Sequence, residues 1–188
     1  MSNQLANGAA TPLSANNVVT YGSGAIAALQ SGAALPSQFL TFMLGAEQFA
    51  VGILHIKEII EYGSLATVPM MPACVRGVIN LRGAVVPVLD LQARFGRPAS
   101  PVTKRTCIVI VETGDADDGQ VIGVVVDAVN EVLELPASDI EPPPSFGAAI
   151  RSDFVSGMAK VRGNFVIVLD VANVLSIKDF SPLADLAA

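Results

Sequence analysis

The chain has 188 residues, of which 52% are apolar and only 15% charged, and its formal net charge is −6. This apolar fraction excludes a disordered chain, and the acidic balance argues against nucleic acid as a partner, because phosphates require a basic surface. No apolar run approaches the roughly 18 residues that a membrane-spanning helix needs, so we expect no direct membrane insertion.

The charged residues are unevenly placed, since none of the first 46 residues is Asp, Glu, Lys or Arg. This stretch lacks the basic residues of a secretory signal or a transit peptide, so we expect a cytoplasmic protein. We interpret residues 1–37 as a flexible N-terminal tail, 38–180 as the folded domain and 181–188 as a C-terminal tail. The cysteines Cys74 and Cys107 fit no metal or redox spacing and are interpreted as packing residues.

After the tail, short apolar runs rich in β-branched residues alternate with turn signals. The predicted strands are 39–44, 49–53, 56–62, 75–81, 84–89, 106–112, 121–126, 129–135, 157–161 and 164–169. The third run also fits one helical turn. Residues 91–95 and 171–175 are predicted short helices, and the proline-rich segment 136–152 is predicted to be a stiff loop. Many short strands at close intervals indicate an all-β sandwich or barrel.

An internal repeat divides the folded part into two halves. Residues 75–91 align without gaps on residues 155–171, and 8 of the 17 positions are identical. Residues 56–60 resemble residues 129–133 in the same way. The duplication predicts two similar β-subdomains related by a pseudo-twofold axis. Each half has only about 70 residues, which is marginal for an independent core. We therefore expect the halves to share strands or to pack tightly together.

Each repeat places an Arg-Gly pair between two predicted strands. Gly83 and its counterpart Gly163 can adopt the positive φ that a tight hairpin requires. Asn80 and Arg82 would then lie at or near the tip, where an exposed guanidinium is a good bidentate donor to a carboxylate of another chain. The alternative is that Arg-Gly is merely a favourable turn, which explains the glycines better than the arginines.

Asp90 and Asp170 follow the second strand of each repeat and directly precede the predicted helices, where aspartate is a natural N-cap. One alternative pairs them as the dyad of a duplicated aspartyl hydrolase, but neither is followed by Thr-Gly or Ser-Gly. A second alternative is a small-ligand-binding β-barrel, which a packed interior would exclude. We interpret His55 as a packing or surface residue and the acidic loop 115–118 as a solvated hairpin tip. We therefore expect no catalytic residue, metal or cofactor.

The stretch Arg76-Gly-Val-Ile-Asn-Leu-Arg-Gly83, followed by Val85-Val-Pro-Val-Leu-Asp-Leu91, strongly resembles the signature of the CheW family of chemotaxis adaptors. The resemblance continues through 39–42, 53–59, 123–132, 154–158 and 167–170 and covers about residues 38–180. It implies a non-enzymatic, all-β protein of two intertwined, pseudo-symmetric five-stranded β-barrels of SH3-like type. The regulatory domain of the kinase CheA has a similar fold.

The resemblance also implies partners. Adaptors of this family couple the histidine kinase CheA, through its regulatory domain, to the cytoplasmic tips of chemoreceptors, which dock along the groove between the barrels. Kinase domains and adaptors then alternate in rings, so we expect recruitment to membrane-bound receptor arrays. The expected partner-binding residues are Ile56, Glu58, Gly77, Asn80, Arg82 and Gly83.

For Glu58 and Gly77, the internal repeat also allows a purely structural role. Glu58 has a counterpart in Glu131, so it can be an ordinary solvated strand residue. Gly77 has a counterpart in Gly157, so it can mark a β-bulge, and a bulge can also re-aim neighbouring side chains toward a partner.

Overall fold

The structure, a computed structural model, describes residues 37–114, 119–144 and 150–176. The interpretations of 1–37 and 181–188 as tails and of 115–118 as a solvated tip therefore fall outside the described residues, except for Ser37, which begins the first strand. The described strands are β1 (Ser37–Leu44), β2 (Glu47–Gly52), β3 (Ile56–Glu61), β4 (Val75–Leu81), β5 (Ala84–Asp90), β6 (Cys107–Thr113), β7 (Gln120–Val126), β8 (Ala128–Leu135), β9 (Ile140–Glu141), β10 (Val155–Val161) and β11 (Asn164–Leu169). The helices are α1 (Leu91–Arg94) and α2 (Val171–Val174).

The ten predicted strands are all present, and their ends lie within two residues of the predicted ones. Residues 56–61 form a strand rather than a helical turn. The prediction of loop throughout 136–152 is wrong at Ile140–Glu141, which pairs with Met158 and Ala159 of β10 as β9. A two-residue strand is too short to show periodicity, and its pairing partner β10 is distant in the sequence. No local sequence pattern therefore predicts β9.

The strands form two sheets in the orders β8-β1-β2-β11-β10-β9 and β3-β6-β7-β5-β4. The two orders correspond strand by strand: β3 matches β8, β6 matches β1, β7 matches β2, β5 matches β11 and β4 matches β10. Only β9 has no counterpart. Each sheet contains strands of both halves. The first-half hairpin β1–β2 lies between β8 and β11 of the second half, and the second-half hairpin β6–β7 lies between β3 and β5 of the first half. The parallel pairs β5–β7 and β11–β2 connect the halves. Each sheet thus requires both halves, as the expected intertwining implies.

The irregularities of the ladders are also duplicated. A register shift between Val75 and Gly77 in β4 has its counterpart between Val155 and Gly157 in β10. A second shift, beside Glu58 in β3, recurs beside Glu131 in β8. Bulges bend a strand and increase its twist, which is how short sheets curl toward barrels. The repeat therefore extends from the sequence to the curvature of both sheets.

The largest apolar cluster lies between the two sheets and is shared by both. Smaller clusters line each sheet separately, around Val88 and Ile110 in one and Val166 and Val168 in the other. The gap within the shared cluster is of water size, so the interior is packed. This packing argues against the ligand-binding barrel. The shared core also explains how halves of marginal size form one stable unit.

Both predicted N-caps are confirmed. The carboxylate of Asp90 accepts a hydrogen bond from the Ala93 amide at 3.2 Å, and that of Asp170 accepts one from the Asn173 amide at 3.0 Å. Asp90 is fully buried, and its other oxygen accepts one hydrogen bond from the Arg76 Nε and one from the Ser100 amide, each at 2.9 Å. A carboxylate that is fully buried and bonded within its own chain is not accessible to a substrate, so the aspartyl hydrolase alternative has no support.

Among the described residues, no helix is long and apolar enough to span a membrane. The same residues contain no group of three or more acidic, histidine or cysteine side chains arranged to hold a metal ion.

Candidate functional site

The turns of the two repeated hairpins have the same backbone conformation. Arg82 and Gly83 have φ of 52° and 92°, and Arg162 and Gly163 have φ of 50° and 85°. Two successive residues with positive φ are typical of a type I′ turn, whose first position favours Asn, Asp or Gly. A left-handed conformation costs an ordinary L-residue about 1–2 kcal/mol. Turn formation therefore accounts for the glycines, whereas both arginines need a separate explanation.

An ion pair joins two of the predicted site residues. The Arg82 Nη2 lies 3.0 Å from the Glu58 Oε2, and 79% of the Arg82 side chain remains exposed. The pair connects β3, at one edge of its sheet, with the turn between β4 and β5 at the other edge. Its counterpart joins Arg162 to Glu131 at 2.8 Å in the second half. Exposed ion pairs contribute about 0–1 kcal/mol, so stability is a weak reason for these arginines.

Asn80 and Gly83, also predicted site residues, contact each other. The Gly83 amide donates a hydrogen bond to the Asn80 Oδ1 at 2.9 Å. The asparagine therefore stabilises the turn that holds Arg82 at the tip. A direct partner contact by Asn80 or Gly83 stays a prediction.

Gly77 and Ile56 are less exposed than the predicted partner contacts suggest. Gly77 is buried at a bulge with φ of 148°, and a Cβ there would lie 2.5 Å from the Ala66 carbonyl oxygen. The close backbone approach expected of a partner is thus made by this chain itself. Ile56 is half-buried and packs against the shared core rather than offering exposed apolar area. A direct partner contact by Gly77 or Ile56 stays a prediction.

Four exposed apolar residues on the strands that contain or follow the ion-paired residues were missed from the sequence. Ile59 and Val85 are 42% and 52% exposed, and their counterparts Val132 and Phe165 are 47% and 61% exposed. The strand alternation and the repeat together could have identified them, because they occupy aligned positions on the solvent side of predicted strands. Exposed apolar side chains beside directional charges are characteristic of protein-binding surfaces.

Replacing Arg82 by asparagine tests whether the arginine serves the fold. Asparagine suits the left-handed conformation better, and the lost ion pair is exposed, so we expect the free energy of unfolding to change by less than about 1 kcal/mol. Urea unfolding measures it, with Arg162→Asn as the matched variant in the second half. A loss above about 2 kcal/mol would show that Arg82 is a structural residue.

The remaining candidate groups offer no site. His55 is exposed in a single turn of 3₁₀ helix. Both cysteines are free. Burial raises the pKa of the Cys74 thiol, which disfavours the reactive thiolate.

Comparison with known proteins supports the resemblance. The family model described as "CheW-like domain" matches residues 38–179. The chemotaxis protein CheW of Helicobacter pylori is 34% identical over 143 residues, which are 76% of this chain and 83% of that protein. That of Rhizobium meliloti is 32% identical over 137 residues, 73% and 86% of the two chains. The crystal structure of the scaffolding protein TtCheW from Thermoanaerobacter tengcongensis matches with a TM-score of 0.68 and 34% identity, over 75% of this chain and 88% of that one.

Proposed function

The chain belongs to the CheW-like family of chemotaxis scaffolds, and we propose that it couples the histidine kinase CheA to the cytoplasmic tips of chemoreceptors. The family match spans nearly all of the described fold, and the match to the Helicobacter pylori relative covers 83% of that protein. Its role is that of an adaptor, in which surfaces rather than catalytic groups carry the function.

The observation that carries the proposal is the exposed Arg82 at a strained turn position. One of its N–H groups bonds Glu58, and 79% of the side chain remains accessible. A guanidinium has five donors, so a partner carboxylate can bind the same side chain bidentately. Ile59 in β3 and Val85 in β5 add exposed apolar area on the same sheet. A strained residue that contributes little to stability is more readily explained by binding.

The duplicated architecture suits a protein with more than one partner. Each half presents a hairpin turn with an arginine and exposed apolar residues. Two similar but non-identical surfaces on one chain permit head-to-tail contacts, which close into rings when the rotation allows it. In this proposal the kinase regulatory domain contacts a barrel surface, the receptor helical hairpin occupies the groove between barrels, and the adaptor gathers at receptor arrays.

Reconstitution with CheA and a receptor cytoplasmic fragment from the same organism tests this function. We expect a ternary complex in size-exclusion chromatography, and receptor-dependent kinase activity that rises only when this chain is added. Arg82→Glu is expected to weaken the assembly at least tenfold, about 1.4 kcal/mol, with an almost unchanged thermal midpoint. Lys104→Glu, at another exposed position, is the charge control. Absence of a ternary complex with the unaltered chain would refute the proposal.

A further inference from the structure

The hairpin β1–β2 is joined to the rest of the described fold by one short linker. Its strands pair with β8 and β11, which belong to the second half, and its apolar side chains enter the shared core. The chain then reaches β3 in the other sheet through only three residues, Ile53–His55. An isolated two-stranded hairpin is marginally stable at best, so β1–β2 depends on the strands against which it packs.

A second copy of this chain offers the hairpin the same strands. If β1–β2 of each copy packs on β8 and β11 of the other, the ladders and core contacts of the hairpin are remade between chains. The side-chain contacts are remade as well, from the hydrogen bond of Thr41 with Glu131 to the ion pair of Glu47 with Arg97. Only the linker changes conformation, and such an exchange of identical elements is a low-cost route to a dimer.

The linker is suited to opening. None of its three residues is buried, and the Leu54 side chain is 96% exposed. The flanking Gly52 and Ile56 already have extended ψ angles of 131° and 123°, so straightening residues 53–55 would join β2 and β3 into one strand. Opening costs the hydrogen bond from the Ile56 amide to the Ile53 carbonyl oxygen and the partial packing of Ile53 against the shared core.

The equivalent hairpin β6–β7 lacks this freedom. It is connected at both ends within the described fold, so its exchange would require two linkers to open. Its connection to β8 is the single residue Asp127, whose amide donates a hydrogen bond to the Met43 carbonyl oxygen. The Asp127 carboxylate also accepts a hydrogen bond from the Gly45 amide at 2.6 Å. Only the first of the two hairpins therefore has a single linker that is exposed and weakly held.

We propose that two copies of this chain exchange their β1–β2 hairpins by opening residues 53–55 and so form a dimer. The interface is isologous, because each copy gives the same hairpin and receives the same hairpin. The dimer carries two copies of each arginine-bearing hairpin turn, so it can engage two sites where a single chain engages one. The exchange requires neither kinase nor receptor, so it stands independently of the proposed function.

Disulfide cross-linking between two different variants of the full chain tests the exchange. Gln38 and Glu134 are exposed and directly opposite in the β1–β8 ladder, with Cβ atoms about 5 Å apart. One variant carries Gln38→Cys and the other Glu134→Cys, both with Cys107→Ala. The two are mixed, unfolded in urea, refolded together and then oxidised with glutathione disulfide. We expect a covalent dimer on a non-reducing gel, with a yield that rises with the protein concentration during refolding.

A ladder pair outside the hairpin is the matched control. Glu61 in β3 is directly opposite Cys107 in β6, and exchange of β1–β2 leaves both residues paired within their own chain. A variant with Glu61→Cys and Cys107→Ala, mixed with the unaltered chain and treated identically, is therefore expected to give no disulfide between chains. Cross-linking of both pairs to the same extent would overturn the inference, as would cross-linking of neither pair at any protein concentration.

The length of the linker provides the second arm. Insertion of Gly-Gly-Ser-Gly after Leu54 lets the hairpin fold back more easily, so we expect at least tenfold less cross-linking of the Gln38→Cys and Glu134→Cys pair. Deletion of Leu54 and His55 leaves too little chain to turn back, so we expect mainly dimer by size-exclusion chromatography with light scattering. Thermal midpoints verify that each variant is folded. A folded deletion variant that is monomeric, or undiminished cross-linking after the insertion, would overturn the inference.

Discussion

Gly77→Ala is expected to destabilise the protein by about 3–4 kcal/mol, from strain at a special backbone conformation and a clash within the core. The added Cβ would lie 2.5 Å from the Ala66 carbonyl oxygen, and the φ of 148° is unfavourable for any side chain. Ala66 exchanges two backbone hydrogen bonds of 2.9 Å with Val78, so it cannot move away without breaking them. Urea unfolding followed by circular dichroism measures the loss.

Gly83→Ala is the matched control for this prediction. Gly83 also has positive φ, but a Cβ there would meet no atom within 4 Å. We expect a loss of only about 1 kcal/mol, from backbone strain alone. If Gly77→Ala were as stable as the unaltered chain but failed to bind partners, Gly77 would be a contact residue rather than the residue that shapes the bulge.

Arg76→Ala is expected to cost about 3–5 kcal/mol, because it leaves a buried carboxylate without its cation. Asp90 is fully buried, and its Oδ2 lies 2.9 Å from the Arg76 Nε. Arg76 also donates a hydrogen bond to the Ser100 carbonyl oxygen, so the loop that follows α1 loses an anchor. Thermal and urea unfolding measure the loss, and binding should fall only as the folded fraction falls.

A double-mutant cycle with Asp90→Asn isolates the ion pair. The neutral amide removes the buried charge, so Arg76→Ala should cost less in that background, with a coupling energy above about 1 kcal/mol. The second half has Ser156 at the position of Arg76, and the half-buried Asp170 is instead hydrogen-bonded by Asn173. Ser156→Ala should therefore leave the stability almost unchanged. A loss below about 1 kcal/mol for Arg76→Ala would contradict the assigned role.

Part of the candidate site could be predicted from the sequence, because it depends on local sequence patterns. An Arg-Gly pair between two apolar runs predicts a tip, and Arg82 does lie in that turn, but its ion pair with Glu58 was not predicted. Strand alternation and the repeat could have indicated the exposure of Ile59, whereas the burial of Ile56 depends on how β3 packs against the shared core. The role of Gly77 could not be predicted, because it depends on the close approach of the Ala66 carbonyl group, which no local sequence pattern indicates.

By itself, the sequence determined the strands, the turns, the two N-caps and the duplication. These depend on interactions within a few residues: alternation of apolar side chains, positive φ at glycine, and an aspartate before a helix. Only the tertiary structure decided that the halves exchange strands and that β9 exists. Those outcomes depend on contacts between distant segments, such as the parallel pairs β5–β7 and β11–β2. Such pairings become favourable only when the shared core forms, so no local sequence pattern specifies them.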